Sequence, residues 1–145
     1  MQKNYAIYEE ALAEELIPAM GCTEPIAIAY CAAVCREKLG AEHEQIEIWV
    51  SRNIIKNVKS VVVPNTDHMK GIEVACAAGI VAAHSERQLE VLAYITAEEK
   101  VALKELAAAK SRFTFPRSRI FSTSAYFWQL TAKTLRLPSA QTIRM

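Results

Sequence analysis

Gly21-Cys-Thr-Glu-Pro-Ile-Ala-Ile-Ala-Tyr-Cys-Ala-Ala-Val-Cys-Arg-Glu-Lys-Leu-Gly40 is the stretch on which the fold turns. Thr23 can accept backbone N–H bonds as a helix cap, Pro25 sits without penalty in a first turn, and Gly40 can end a helix in the left-handed conformation. A helix from about Glu24 to Leu39 is therefore predicted. Its many alanines leave little side chain between its axis and a neighbour, so it should pack closely inside a core. Cys31 and Cys35 are four apart and share one face among those alanines, where buried small hydrophobes are the simplest reading.

Upstream, Tyr5, Tyr8, Leu12 and Leu16 recur at helical spacing with Glu9, Glu10, Glu14 and Glu15 elsewhere, which predicts an amphipathic helix over 5–17 closed by Pro18. Downstream, Gln45 to Ser51 alternates: Ile46, Ile48 and Val50 fall on one face, Glu47 and Trp49 on the other, the pattern of a half-buried strand. Arg52 to Lys59 suits one or two helical turns. Ser60 to Val63 is β-branched and stopped by Pro64, so a short strand is expected. Gly71 to His84 reads as a buried helix, and Leu89 to Ala109 as one or two more exposed ones. The fold class is α+β, helix-rich with a few short strands.

With 145 residues, 52% of them hydrophobic and 23% charged, the composition is that of a soluble globular domain. The apolar run Ile26 to Val34 is too short to cross a bilayer. Acids at Glu9 and Glu10 stand where a secretory leader would be apolar, so neither export nor a membrane is expected, and the cytoplasm is the expected location. Four cysteines without an export signal read as thiols, ligands or core residues before disulfides.

The overall charge of +1 conceals a break near residue 110. Residues 1–110 carry eleven Lys or Arg against sixteen acids, a net of −5. Residues 111–145 carry six cations and no acid, a net of +6, and lack Gly, Val, Asn, Cys and His. Three accounts compete for this tail: a basic arm for nucleic acid, a carboxy-terminal strand pair, and a shifted reading frame. The cations are scattered singly, which disfavours nucleic acid, and no Gly, Asn or Asp is present to turn a hairpin. A tail out of frame ranks first.

Two stretches could carry chemistry. Cys22, just before a helix amino terminus, would have its thiolate favoured by the helix dipole, although Glu24 beside it opposes that. Asn53, Lys56 and Asn57 on one helical segment, with Asn65 and Thr66 in a turn after Pro64, offer donors to a carboxylate. The bland alternatives are a structural cysteine and ordinary solvated turns.

Taken in order, Glu15-Leu-Ile-Pro-Ala-Met-Gly-Cys-Thr-Glu-Pro-Ile-Ala-Ile-Ala, Ser51-Arg-Asn-Ile-Ile-Lys-Asn, Val63-Pro-Asn-Thr, Gly71 and Leu89-Glu-Val-Leu resemble the amino-terminal part of the L-cysteine desulfidase and L-serine dehydratase alpha-subunit-like family. The resemblance implies that residues 1–110 are an incomplete portion of a larger lyase fold. It also implies a lyase that degrades L-cysteine to pyruvate, ammonia and sulfide, or L-serine to pyruvate and ammonia, with a 4Fe–4S cluster. Cys22 corresponds to the cysteine of the family motif, a catalytic base or a group beside the cluster, and Asn53, Lys56, Asn57, Asn65 and Thr66 to substrate binding. The cluster ligands would lie in a region this chain lacks, so inactivity alone is expected. The implied partners are a small amino-acid substrate and a complementary carboxy-terminal polypeptide or a second copy, with neither nucleic acid nor membrane. The alternative is a noncatalytic remnant or partner-binding module. The family usually has glycine after Thr66, where Asp67 and His68 stand here.

Overall fold

The computed structural model describes residues 5–16, 18–40, 43, 45–114 and 135–136. Most of the expected helices form. They are α1 (Ala6–Glu15), α2 (Thr23–Leu39), α3 (Arg52–Val58), α4 (Ile72–Ala82) and α5 (Ala97–Ala108). Gly40 ends α2 at φ 62°, as its position predicts. Cys22, not Thr23, is the residue at the amino-terminal cap of α2, and Thr23 is already helical.

The core is built where α2 crosses α4. Ile26, Ala29 and Ala33 of α2 are buried, as are Ala75, Ala77 and Ala78 of α4. The contact is backbone to backbone: a Cβ built on Gly79 would stand 1.9 Å from the Ala29 carbonyl oxygen. Only glycine permits this approach, and the alanines around it are what allow two helices to come so near. Leu103, Leu106 and Ala107 of α5 are buried too, so that helix is half embedded and not simply exposed.

Three short strands lie beside the helices in the order β2-β1-β3. The central strand is β1 (Gln45–Glu47), joined in parallel by β2 (Phe113–Thr114) and antiparallel by β3 (Leu135–Arg136). Ile46 pairs with Phe113 on one side and Leu135 on the other. Ile46 and Ile48 are buried while Glu47 and Trp49 are half-buried, as expected, but the strand ends at Glu47, short of the expected Ser51, and Val50 is half-buried like Trp49. The backbone of the tail thus contributes two strand segments to the sheet, and the remainder of 115–145, where most of the tail expectations fall, lies outside the described residues.

Two local expectations are corrected. Ser60 to Val63 makes a single antiparallel bridge, Val62 to Lys70, instead of a strand. The chain reverses immediately at 64–68, where Asn65, Asp67 and His68 all take positive φ, leaving no length for a ladder. Residues 85–94 form a 3₁₀ turn, Ser85–Glu90, kinked at Gln88, where the expectation had helix beginning at Leu89. Leu89, Val91 and Leu92 drop into the core there.

Helix α5 begins at a capping box. Thr96 Oγ1 accepts from the Glu99 N–H at 3.2 Å and Glu99 Oε2 accepts from the Thr96 N–H at 2.7 Å. Removing one half with Thr96→Ala should cost about 1 kcal/mol, read as a lower urea midpoint at unchanged m-value.

Candidate functional site

Cys22 is half-buried at the mouth of α2, and its thiol donates to Glu24 Oε2 at 2.8 Å. The other oxygen of the same carboxylate, Oε1, accepts from Asn57 Nδ2 at 3.1 Å. A residue of α3, 33 positions away in sequence, therefore fixes the carboxylate that holds the thiol proton. Ser51 caps α3 by accepting from the Ile54 N–H at 3.3 Å, which sets where Asn57 falls.

Two opposing influences act on Cys22, and the carboxylate wins. Accepting the thiol proton favours the protonated form, and burial adds to this, so the Cys22 pKa is raised above its usual value. Glu24 is held below the carboxylate range by the bond from Cys22, by its own backbone N–H and by the Asn57 amide. The group is a thiol hydrogen-bonded to a carboxylate, with the proton on sulfur. Sequence reasoning named the opposition of Glu24 but left Glu24 out of the site; the signal was its place two residues after the cysteine, in a first helical turn.

The remaining candidates divide. Asn53 and Lys56 are exposed on α3; Asn53, four residues before Asn57, shares its face, whereas Lys56 is its immediate neighbour and lies about 100° round the helix. Asn65 is exposed, yet its amide donates to the carbonyls of Leu92 at 2.7 Å and Ala93 at 3.0 Å. Thr66 is buried, and its hydroxyl donates to the Val63 carbonyl at 2.8 Å. Both spend their polar atoms on backbone: Thr66 closes the 63–69 loop on itself, and Asn65 ties that loop to the turn before α5. Asp67 strengthens that tie through Lys100 and Lys104, each at 2.8 Å, and these cations hold its carboxyl down at about 2. The loop nonetheless approaches the residue before Cys22, because a Cβ on Gly21 would lie 3.8 Å from Pro64 Cγ.

The other three cysteines are elsewhere. Cys35 and Cys76 are buried and Cys31 half-buried along α2 and α4. The neighbouring Cys31 thiol and burial push Cys35 up, and burial pushes Cys76 up to about 12. Among the described residues no three His, Cys, Asp or Glu side chains group as metal ligands. The described residues do not provide the ligand set of a 4Fe–4S cluster. A cavity of about 680 Å³ opens at the far end of α2, lined by Arg36, His43, Ile80 and Leu106 among others. It is separated from Cys22 by most of the roughly 25 Å length of that helix. Among the described residues no helix is long and apolar enough to cross a membrane.

No family model matches the chain, and no solved structure matches it. It is 60% identical over 102 residues to a UPF0597 protein of Desulfitobacterium hafniense, a match covering 70% of this chain and 24% of the relative. It is 52% identical over 104 residues to a UPF0597 protein of Treponema denticola, covering 72% and 24%. To a UPF0597 protein of Finegoldia magna it is 56% identical over 97 residues, covering 67% and 23%. The chain spans about a quarter of the length of the curated relatives it matches. These names correct the resemblance to cysteine desulfidases and serine dehydratases, and the lyase and iron–sulfur descriptions that came with it lose their support. Within the motif blocks themselves, Ser51, Asn65 and Thr66 are used to build loops and caps, so their order reports at least a shared backbone arrangement. What the chain resembles is a segment of the UPF0597 proteins.

Proposed function

We propose that this chain carries the proton-handling part of a site for a small amino acid, and that the site is completed by polypeptide beyond the span shared with its longer relatives. The observation that supports this is the Cys22–Glu24–Asn57 chain, half-open to solvent at a helix mouth. Transfer of the proton from Cys22 Sγ to Glu24 Oε2 runs against both shifts, so it requires a bound group that stabilises the thiolate; it leaves a thiolate beside a neutral carboxyl with the net charge unchanged and reverses the same way. Asn57 keeps the receiving carboxylate oriented through both states. Lys56, with Asn53 beside it, supplies a cation and an amide on the same helix face for a substrate carboxylate.

The test is alkylation of Cys22 by iodoacetamide as a function of pH, mapped by mass spectrometry so that the more buried thiols are read separately. Only the thiolate reacts, and Glu24 disfavours it. Wild-type chain should therefore react slowly at neutral pH, and Glu24→Gln should react faster, with its onset moved to lower pH. Equal profiles would show that the carboxylate does not govern the thiol. With the remaining portion of the Desulfitobacterium relative bound, millimolar L-serine should slow the wild-type reaction and fail to slow it in Lys56→Glu; the absence of any protection in that complex rejects the amino-acid part of the reading.

A further inference from the structure

Helix α1 has no buried residue. Its apolar side chains face solvent: Tyr5 is 57% exposed, Tyr8 68%, Leu12 56% and Leu16 70%. At spacings of three and four these residues form one stripe, with Glu9 and Glu15 along its edges. Ile7 is exposed off the stripe as well, but only the stripe is continuous, and it costs solvation free energy unless something covers it.

We propose that the Tyr5–Tyr8–Leu12–Leu16 face of α1 docks onto the polypeptide that makes up the other three-quarters or so of the relatives' length, in an apolar groove with a Lys or Arg rim. This rests on the reading above that further polypeptide completes the chain. Two observations choose this occupant. The relatives carry about three times as much additional polypeptide as the span they share with this chain, length enough to supply a covering surface. Charge disfavours the simplest rival, a second copy of the same face. Glu9 and Glu15 flank the stripe and the helix has no cation, so a symmetric pair would bring like charges together at its edges. A basic-rimmed groove meets the same edge favourably. The two tyrosines are the side-chain type that most often anchors such a contact.

The experiment co-expresses the full 145-residue chain with the portion of the Desulfitobacterium relative outside the matched span, and follows co-elution and affinity. Stoichiometric co-elution is expected, weakened at least tenfold by Tyr8→Lys with Leu12→Glu, and weakened by Glu15→Lys most strongly at low salt. The double variant should keep the wild-type thermal midpoint and the wild-type Cys22 alkylation profile, which separates failure of docking from failure of the thiol site. No co-elution, or co-elution indifferent to these substitutions, overturns the proposal. So does a chain that is dimeric alone and becomes monomeric in the double variant, or a midpoint that falls because α1 packs within the chain.

Discussion

Replacing Gly79 with alanine should abolish the native packing of α2 on α4 or lower stability by about 3 kcal/mol or more. The added Cβ would sit 1.9 Å from the Ala29 carbonyl oxygen and 2.6 Å from its carbon. Backbone cannot move aside as a flexible side chain can, so the helices must separate by more than 1 Å to restore a normal contact. Separation loosens the buried alanines along the whole crossing, where no long side chain is available to refill the gap. Alanine is the better helix former by about 1 kcal/mol, which works in the opposite direction and is outweighed. Thermal unfolding followed by circular dichroism should show a midpoint lower by roughly 10 °C or more, or a broad noncooperative transition. A Gly79→Ala chain as stable as wild type would mean that the two helices do not meet at this point.

The second large effect is expected at Asn65. Asn65→Ala removes two hydrogen bonds to the Leu92 and Ala93 carbonyls and places a residue with no local polar compensation at φ 57°. Each lost bond is worth about 1 kcal/mol, and the left-handed backbone costs alanine about 1 kcal/mol more, so a total near 2–3 kcal/mol is expected. Asn65→Gly keeps the backbone conformation and loses only the amide, so it should fall between the two. Urea denaturation in the order wild type, glycine, alanine checks the assignment; equal stabilities would show that Asn65 is not holding the loop. Because Pro64 lies against Gly21, the alanine variant should also disturb Cys22, seen as an altered alkylation profile.

The same residue illustrates how a sequence reading can be right about position and mistaken in emphasis. Asn65 and Thr66 stand out as polar residues in a turn, which suggests ligand contacts. Their polar atoms are instead used within the fold, where loop carbonyls would otherwise go without donors. Cys22 and Asn57, read from two separate motifs, do come together, but through Glu24, which spacing alone did not select. Asp67 and His68 both take the left-handed conformation that glycine adopts most readily.

Sequence by itself determined the helices α1 to α4, the end of α2 at Gly40 and the in–out alternation of β1, because these depend on local periodicity and on the conformational limits of glycine and proline. Only the tertiary structure decided the protonation of Cys22, the structural use of Asn65 and Thr66, the missing strand at 60–63 and the backbone contact at Gly79. Each of these depends on which distant groups meet. Asn57 reaches Glu24 across 33 residues and Gly79 meets Ala29 across 50, separations at which local pattern carries no signal and long-range packing decides.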